Sequence, residues 1–209
     1  MSYGGRFYKK SSDYKPLGKT VAALYGKQRA NEIFRAAGEE LDRLLAQFPD
    51  IPKGERNHTD GYIFPRAALY RVMSKELGAD EAMRLIDEAV HNQGIRMGKM
   101  LRNMTALPFM KGAFLRIFAS MAKNMFGEKN GFRQVYYDTA KDTVKFDILD
   151  CTYCRYCRLC GCEELIHTFC QSDADCFGSL TGIRFVREST LEKGDKCDFT
   201  LIKEKGKNK

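Results

Sequence analysis

Residues Cys151–Asp173 read CTYCRYCRLCGCEELIHTFCQSD and hold six of the eight cysteines in a chain of 209 residues. Cys176 and Cys197 follow, and no cysteine precedes Cys151. Cys151, Cys154, Cys157 and Cys160 recur at every third position, with Cys162 just beyond. On an α-helix, steps of three drift by only about 60° each, so the spacing predicts a helix that gathers its sulfurs into one narrow stripe. Free cysteine is among the most buried residue types. Such a stripe packs on a neighbouring layer and leaves Arg155 and Arg158 on another face.

A second reading of the same run stays open. Two adjacent C-x-x-C units suit a soft metal, so Cys151, Cys154, Cys157, Cys160 and Cys162 also form a ligand set for an iron–sulfur cluster or zinc. Against it, the third gap is shorter than in the bacterial ferredoxin run and no proline follows. Zinc modules also set a longer loop between their two knuckles.

Outward from this segment the pattern is that of strands. Arg133–Tyr137 and Thr143–Leu149 flank a polar turn, DTAKD; Val144, Phe146 and Ile148 alternate with Lys145 and Asp147, as in a half-buried strand. Gly182–Arg187 and Lys196–Ile202 form a second pair around EKGDK. The expected fold class is α+β: an N-terminal helical region, then a small antiparallel sheet with the cysteine-rich helical segment inserted between two hairpins.

The first half is helical in period. Leu17–Phe48 keeps helical spacing with a break near Gly26 or Gly38, and 49–61 reads as a loop. Pro65 suits the first turn of a second helix, which stops before Gly78. Asp80 is a candidate cap for a third helix, with Met83, Leu85, Ile86, Val90, Met97, Leu101 and Met104 on its apolar face. A fourth helix opens at Pro108. The expected organisation is a flexible N-terminus (1–14), a helical region (15–130), an α+β cysteine-rich region packed with it as one unit (131–203), and a basic tail (204–209).

Apolar residues make up 44% of the chain and charged residues 30%, with a formal charge of +8, a mild bias toward anionic partners. There is no apolar signal segment at the N-terminus and no run of about 18 apolar residues. A cytoplasmic protein without a membrane span is expected, with its thiols free in a reducing compartment. The basic, Met- and Phe-rich stretch after Ile95 reads either as a core-facing stripe with a solvated back or as a membrane- or nucleic-acid-binding surface. No nucleic-acid motif supports that last partner.

Cys170 stands three residues after His167 and three before Asp173, spacings that share a helix face. An imidazole beside a thiol stabilises the reactive thiolate.

The pattern Cys151-x-Tyr153, Gly161-Cys-Glu-Glu-Leu165, Phe169-Cys170-x-x-Asp173 and Gly194-Asp195-Lys196-Cys197-Asp198-Phe199 resembles the L-2-amino-thiazoline-4-carboxylic acid hydrolase family. That resemblance implies a hydrolase that opens a 2-aminothiazoline ring to N-carbamoyl-L-cysteine, acting on a small molecule without a cofactor. Cys170 would be the nucleophile, His167 its proton shuttle and Asp173 the third catalytic residue. Cys151, Tyr153, Cys197 and Asp198 would bind substrate, and an arginine not identified by sequence would hold its carboxylate. Cys154, Cys157, Cys160, Cys162 and Cys176 fall outside the family's pattern. The alternative is a non-catalytic iron–sulfur or zinc module.

Overall fold

A computed structural model describes residues 2–107 and 109–204. Six helices come first: α1 (Tyr3–Lys10), α2 (Lys15–Tyr25), α3 (Lys27–Gln47), α4 (Lys53–His58), α5 (Phe64–Leu77) and α6 (Ala79–Thr105). One π-helical turn, Thr59–Ile63, joins α4 to α5. After α7 (Met110–Met125) come β1 (Arg133–Tyr136), β2 (Thr143–Asp150), α8 (Thr152–Leu159), α9 (Ile166–Phe177), β3 (Ile183–Val186) and β4 (Cys197–Lys203). The expected α+β order is the observed one.

The long helical stretch breaks at Gly26, whose φ of 88° suits only glycine without strain. Gly38 instead lies inside α3, where a Cβ would meet Gly4 backbone at 2.9 Å. That close approach explains a difference from expectation. Residues 1–14 read as loosely held, yet Tyr3–Lys10 form α1, docked on α3 with Tyr8 buried and its hydroxyl donating to Pro65 O (2.6 Å). Likewise 49–61 is not a loop. Its α4 is held by Glu55, which accepts from Arg155 at 3.2 Å. Gly78, not Asp80, is the N-cap of α6; Asp80 lies in the first turn, where its charge favours the helix dipole. The helix start expected at Pro108 and most of the tail, 205–209, lie outside the described residues.

The sheet runs β1-β2-β4-β3, antiparallel throughout, so the two hairpins meet through β2 and β4. Phe146 stands opposite Phe199, and Ile148 opposite Cys197. Val144, Phe146 and Ile148 are buried as their alternation predicts, but so is Asp147. Lys196 Nζ (2.7 Å) and the Tyr137 hydroxyl (2.8 Å) both donate to its Oδ2, which offsets the cost of burying the charge, while Oδ1 has no partner among the described residues.

Two apolar cores result. One joins α1–α6 to α8 and the start of α9; the other lies between α7 and the sheet. Cys151, Tyr153 and Leu191 pack against both. The seam between the cores is therefore where the cysteine-rich segment begins.

Candidate active site at the seam between the two cores

The cysteine stripe is core packing. Cys154, Cys157, Cys160 and Cys162 are all buried within the helical core, while Arg155 and Arg158 face outward to Asp150 and Glu163. Arg71 donates to the Cys160 carbonyl and pairs with Glu40 (2.8 Å), which ends α8 against α5 and α3. Burial pushes the Cys160 thiol up to about 12, and Cys157 higher still. Among the described residues no three His, Cys, Asp or Glu side chains converge as a metal site, so the run does not fit the ligand set considered above.

The remaining cysteines behave differently. Cys151 caps the N-terminus of α8 directly after β2, Cys170 lies in α9, and Cys197 opens β4. The three thiols on the family's motif positions thus come from three elements, and Cys151 and Cys197 both act electrostatically on Cys170. Burial pushes the Cys170 thiol up to about 12, helped by Cys197, Asp173 and Cys151 and opposed by Arg187. Cys197 is likewise pushed up to about 12 by burial, with Arg187 opposing and Asp173 and Cys151 reinforcing. All eight cysteines are free thiols, and at neutral pH these three are protonated.

Asp173 supplies the charge. Burial raises its carboxyl to about 6, against the opposing pull of Arg187, while 35% of its side chain remains accessible. It is thus a desolvated carboxylate that still opens to solvent. Arg187, immediately after β3, donates to Asp173 Oδ2 (3.0 Å) and to the Cys170 carbonyl oxygen (2.6 Å). Its guanidinium carbon lies 5.6 Å and 5.8 Å from the Phe185 and Phe199 ring centroids.

Tyr153 stands on the other flank, its ring 4.7 Å from that of Phe169. His58 Nε2–H donates to the Met125 carbonyl oxygen (3.1 Å), so its Nδ1 accepts from the Tyr153 hydroxyl (3.0 Å). Burial lowers the His58 pKa, although the Met125 carbonyl and Glu55 oppose it, and the ring stays neutral in that role. Arg66 lies 3.8 Å over the Phe169 ring and donates to Thr168 Oγ1 (2.8 Å), both neutral partners.

Two of the expected residues are engaged elsewhere. His167 does not face Cys170: its Nε2 meets Asp87 Oδ1 on α6 (2.9 Å) and its Nδ1 the Glu164 carbonyl oxygen (2.6 Å). Burial disfavours its charge, but Asp87 and the Glu164 carbonyl outweigh that and raise the pKa. With an acceptor at each ring nitrogen, its imidazole pins α9 to α6. Asp198 accepts from the backbone N–H groups of Glu188 (3.1 Å) and Ser189 (2.6 Å), and so shapes the loop after Arg187. Arg187, Arg66 and His58 carried no local sequence signal; they reach the site across 14 to 103 residues of chain, from elements whose own patterns describe only packing.

A shallow depression of about 340 Å³, lined by Asp150, Cys151, Cys154, Arg155, Arg158 and Leu191 among others, opens on the Cys151 side. A roomier one of about 920 Å³ between α1, α4 and the end of α7 reaches His58 from the other side. A third, about 1010 Å³ between α1, α2 and α3, touches none of these groups; size alone does not mark the chemistry here.

A search of curated proteins and a search of solved structures found no match. The family model for L-2-amino-thiazoline-4-carboxylic acid hydrolase matches residues 56–201, from α4 through β4 and including every site group above. That span exceeds half of the chain, and the protein belongs to the L-2-amino-thiazoline-4-carboxylic acid hydrolase family.

Proposed function

We propose that the protein is a hydrolase that opens a cyclic amidine, a 2-aminothiazoline carboxylate or a close relative, with Cys170 as nucleophile and Asp173 as its base. The observation that carries this reading is the meeting of Cys151, Cys170 and Cys197 with Asp173 and Arg187 at one seam. A thiol held near 12 needs a base, and a desolvated carboxylate near 6 is ionised and available at neutral pH.

In the first step the Cys170 proton passes to Asp173 as the sulfur bonds to the amidine carbon. The bond from that carbon to the ring sulfur breaks, and the departing thiolate takes the proton back. Water then adds to the same carbon, giving one proton to the former ring nitrogen and the other, through Asp173, to the Cys170 thiolate as it leaves, and the product carries a carbamoyl group and a free thiol. The Tyr153 hydroxyl, oriented by His58, borders the substrate. Arg66 holds the carboxylate; its present partners are neutral, so an anion would meet its full charge. Cys151 and Cys197 shape the pocket wall. The sequence of steps draws on side chains and water alone, without a cofactor.

Eight free thiols suit a reducing compartment, and we place the enzyme in the cytosol. No helix among the described residues is long and apolar enough to cross a membrane.

The test is incubation with L-2-amino-thiazoline-4-carboxylate, following thiol release and N-carbamoyl-L-cysteine by mass spectrometry. Cys170→Ala should abolish turnover at a stability cost of about 1 kcal/mol. Full activity in that variant would remove Cys170 from the mechanism, and no turnover of any 2-aminothiazoline by the intact protein would remove the substrate class.

A further inference from the structure

The second half of α6 and α7 carry large apolar side chains that neither core covers. Phe114, Leu115, Phe118 and Ala122 of α7 are buried on the sheet. Ile117 and Met121 on the same helix are not, with Ile117 63% exposed. Met97 and Met100 are exposed on α6, and at the turn between the helices Leu107 and Phe109 project outward, Phe109 74% exposed. Eight of the exposed large apolar side chains lie between Ile95 and Met125, a concentration that points to an interaction site if they meet in one patch.

The charge around them has one sign. Residues 95–127 contain Arg96, Lys99, Arg102, Lys111, Arg116 and Lys123 and no Asp or Glu. Five are exposed and Lys111 is half-buried. Among the described residues none of the six enters an ion pair, although the rest of the chain is rich in them.

We propose that the α6–α7 hairpin docks on the headgroup–acyl boundary of an anionic lipid bilayer, with Leu107 and Phe109 entering the apolar layer and the flanking cations meeting the headgroups. Charge complementarity selects this occupant. A second copy of the chain placed face to face would set the same cations against each other, which costs rather than gains. Nucleic acid would satisfy the cations but leave Phe109, Ile117 and the methionines in water. An anionic bilayer satisfies both, and interfacial binding of this kind combines apolar burial with electrostatic attraction. The hairpin would lie on the bilayer and not cross it.

The experiment is co-sedimentation of the full chain with phosphatidylcholine vesicles, with and without phosphatidylglycerol. Binding should be at least roughly tenfold stronger with phosphatidylglycerol and weaken as salt rises. Leu107→Ser with Phe109→Ser should lower binding even at low salt, and Lys99→Glu with Arg102→Glu should abolish the phosphatidylglycerol preference. Both double variants should keep the parent's circular dichroism and hydrolase rate, since none of these residues belongs to the site. Equal binding to both vesicles, or binding untouched by either variant, overturns the proposal. So does a dimer in solution that dissociates on Phe109→Ser, or tighter binding to an RNA oligonucleotide than to the anionic vesicles.

Discussion

Arg187 Nη1 lies 3.0 Å from Asp173 Oδ2 while the other terminal nitrogen donates to the Cys170 carbonyl oxygen at 2.6 Å, so one guanidinium ties the Asp173 carboxylate and the Cys170 backbone to the end of β3. The side chain is only 9% exposed. A planar fork can span both partners; an ammonium on a flexible stem cannot. Arg187→Lys should therefore lower kcat by roughly a hundredfold, the scale of a 1 Å misplacement of catalytic groups. Steady-state kinetics beside thermal melting checks this: a loss of stability with unchanged kcat would reduce Arg187 to scaffolding.

The same pair fixes the pH response. Asp173 must be ionised to act as base, and burial sets its carboxyl near 6. The rate should rise through about pH 6 to a plateau near neutrality. Arg187→Gln removes the cation that opposes burial, so the surviving activity should show that limb at higher pH. Stability runs the other way. The folded carboxyl keeps its proton above the ordinary value of about 4, so Asp173 favours the fold most below that pH and progressively less as pH rises through about 6. A rate profile flat from pH 5 to 7 would exclude Asp173 as the base.

The position of α9 depends on two glycines of α6. A Cβ on Gly94 would meet Asp175 Cβ at 2.6 Å, and one on Gly98 the Asp175 carbonyl oxygen at 2.5 Å. Backbone cannot swing aside as the end of a long side chain can, so Gly98→Ala must push the helices apart. The expected cost is about 1–3 kcal/mol, with a fall in kcat because α9 carries both Cys170 and Asp173. Gly112→Ala within α7, where a Cβ meets nothing within 4 Å, is the control: it should leave kcat unchanged and raise stability by up to about 1 kcal/mol.

The order of helices and strands was legible because its signals are local. Phe146 declares itself by alternation and the stop at Gly78 by residue type, while residue type alone left the earlier break open between Gly26 and Gly38. Tyr3–Lys10 was not legible, since two glycines and five charged or hydroxyl-bearing neighbours read as a loose end. What holds it is the close pass of Gly4 against Gly38 and the bond from Tyr8 to Pro65, contacts made across 34 and 57 residues. The cysteines of the site were readable as a motif. The partners of the flanking residues were not: spacing put both His167 and Asp173 beside Cys170, but Asp87 of α6 takes the His167 ring while Asp173 accepts from Arg187. The basic helices divided, with Phe114 and Phe118 in the core and Ile117 outside it.

The cysteine stripe offers a test in which packing and ligation give opposite results. Cys157 is 0% exposed, in the helical core among apolar neighbours. If it serves only as a small hydrophobe, Cys157→Ala loses one atom's packing, about 1 kcal/mol, and Cys157→Ser more, because a buried hydroxyl without a partner costs about 1–3 kcal/mol. Hydrolase activity should survive both. A metal ligand would behave otherwise: alanine and serine would each release iron or zinc from anaerobically purified protein, with a common large loss of stability. Chemical denaturation of the two variants beside elemental analysis of the parent decides it. Core packing predicts that serine is the worse substitution and that the parent's eight thiols titrate without bound metal.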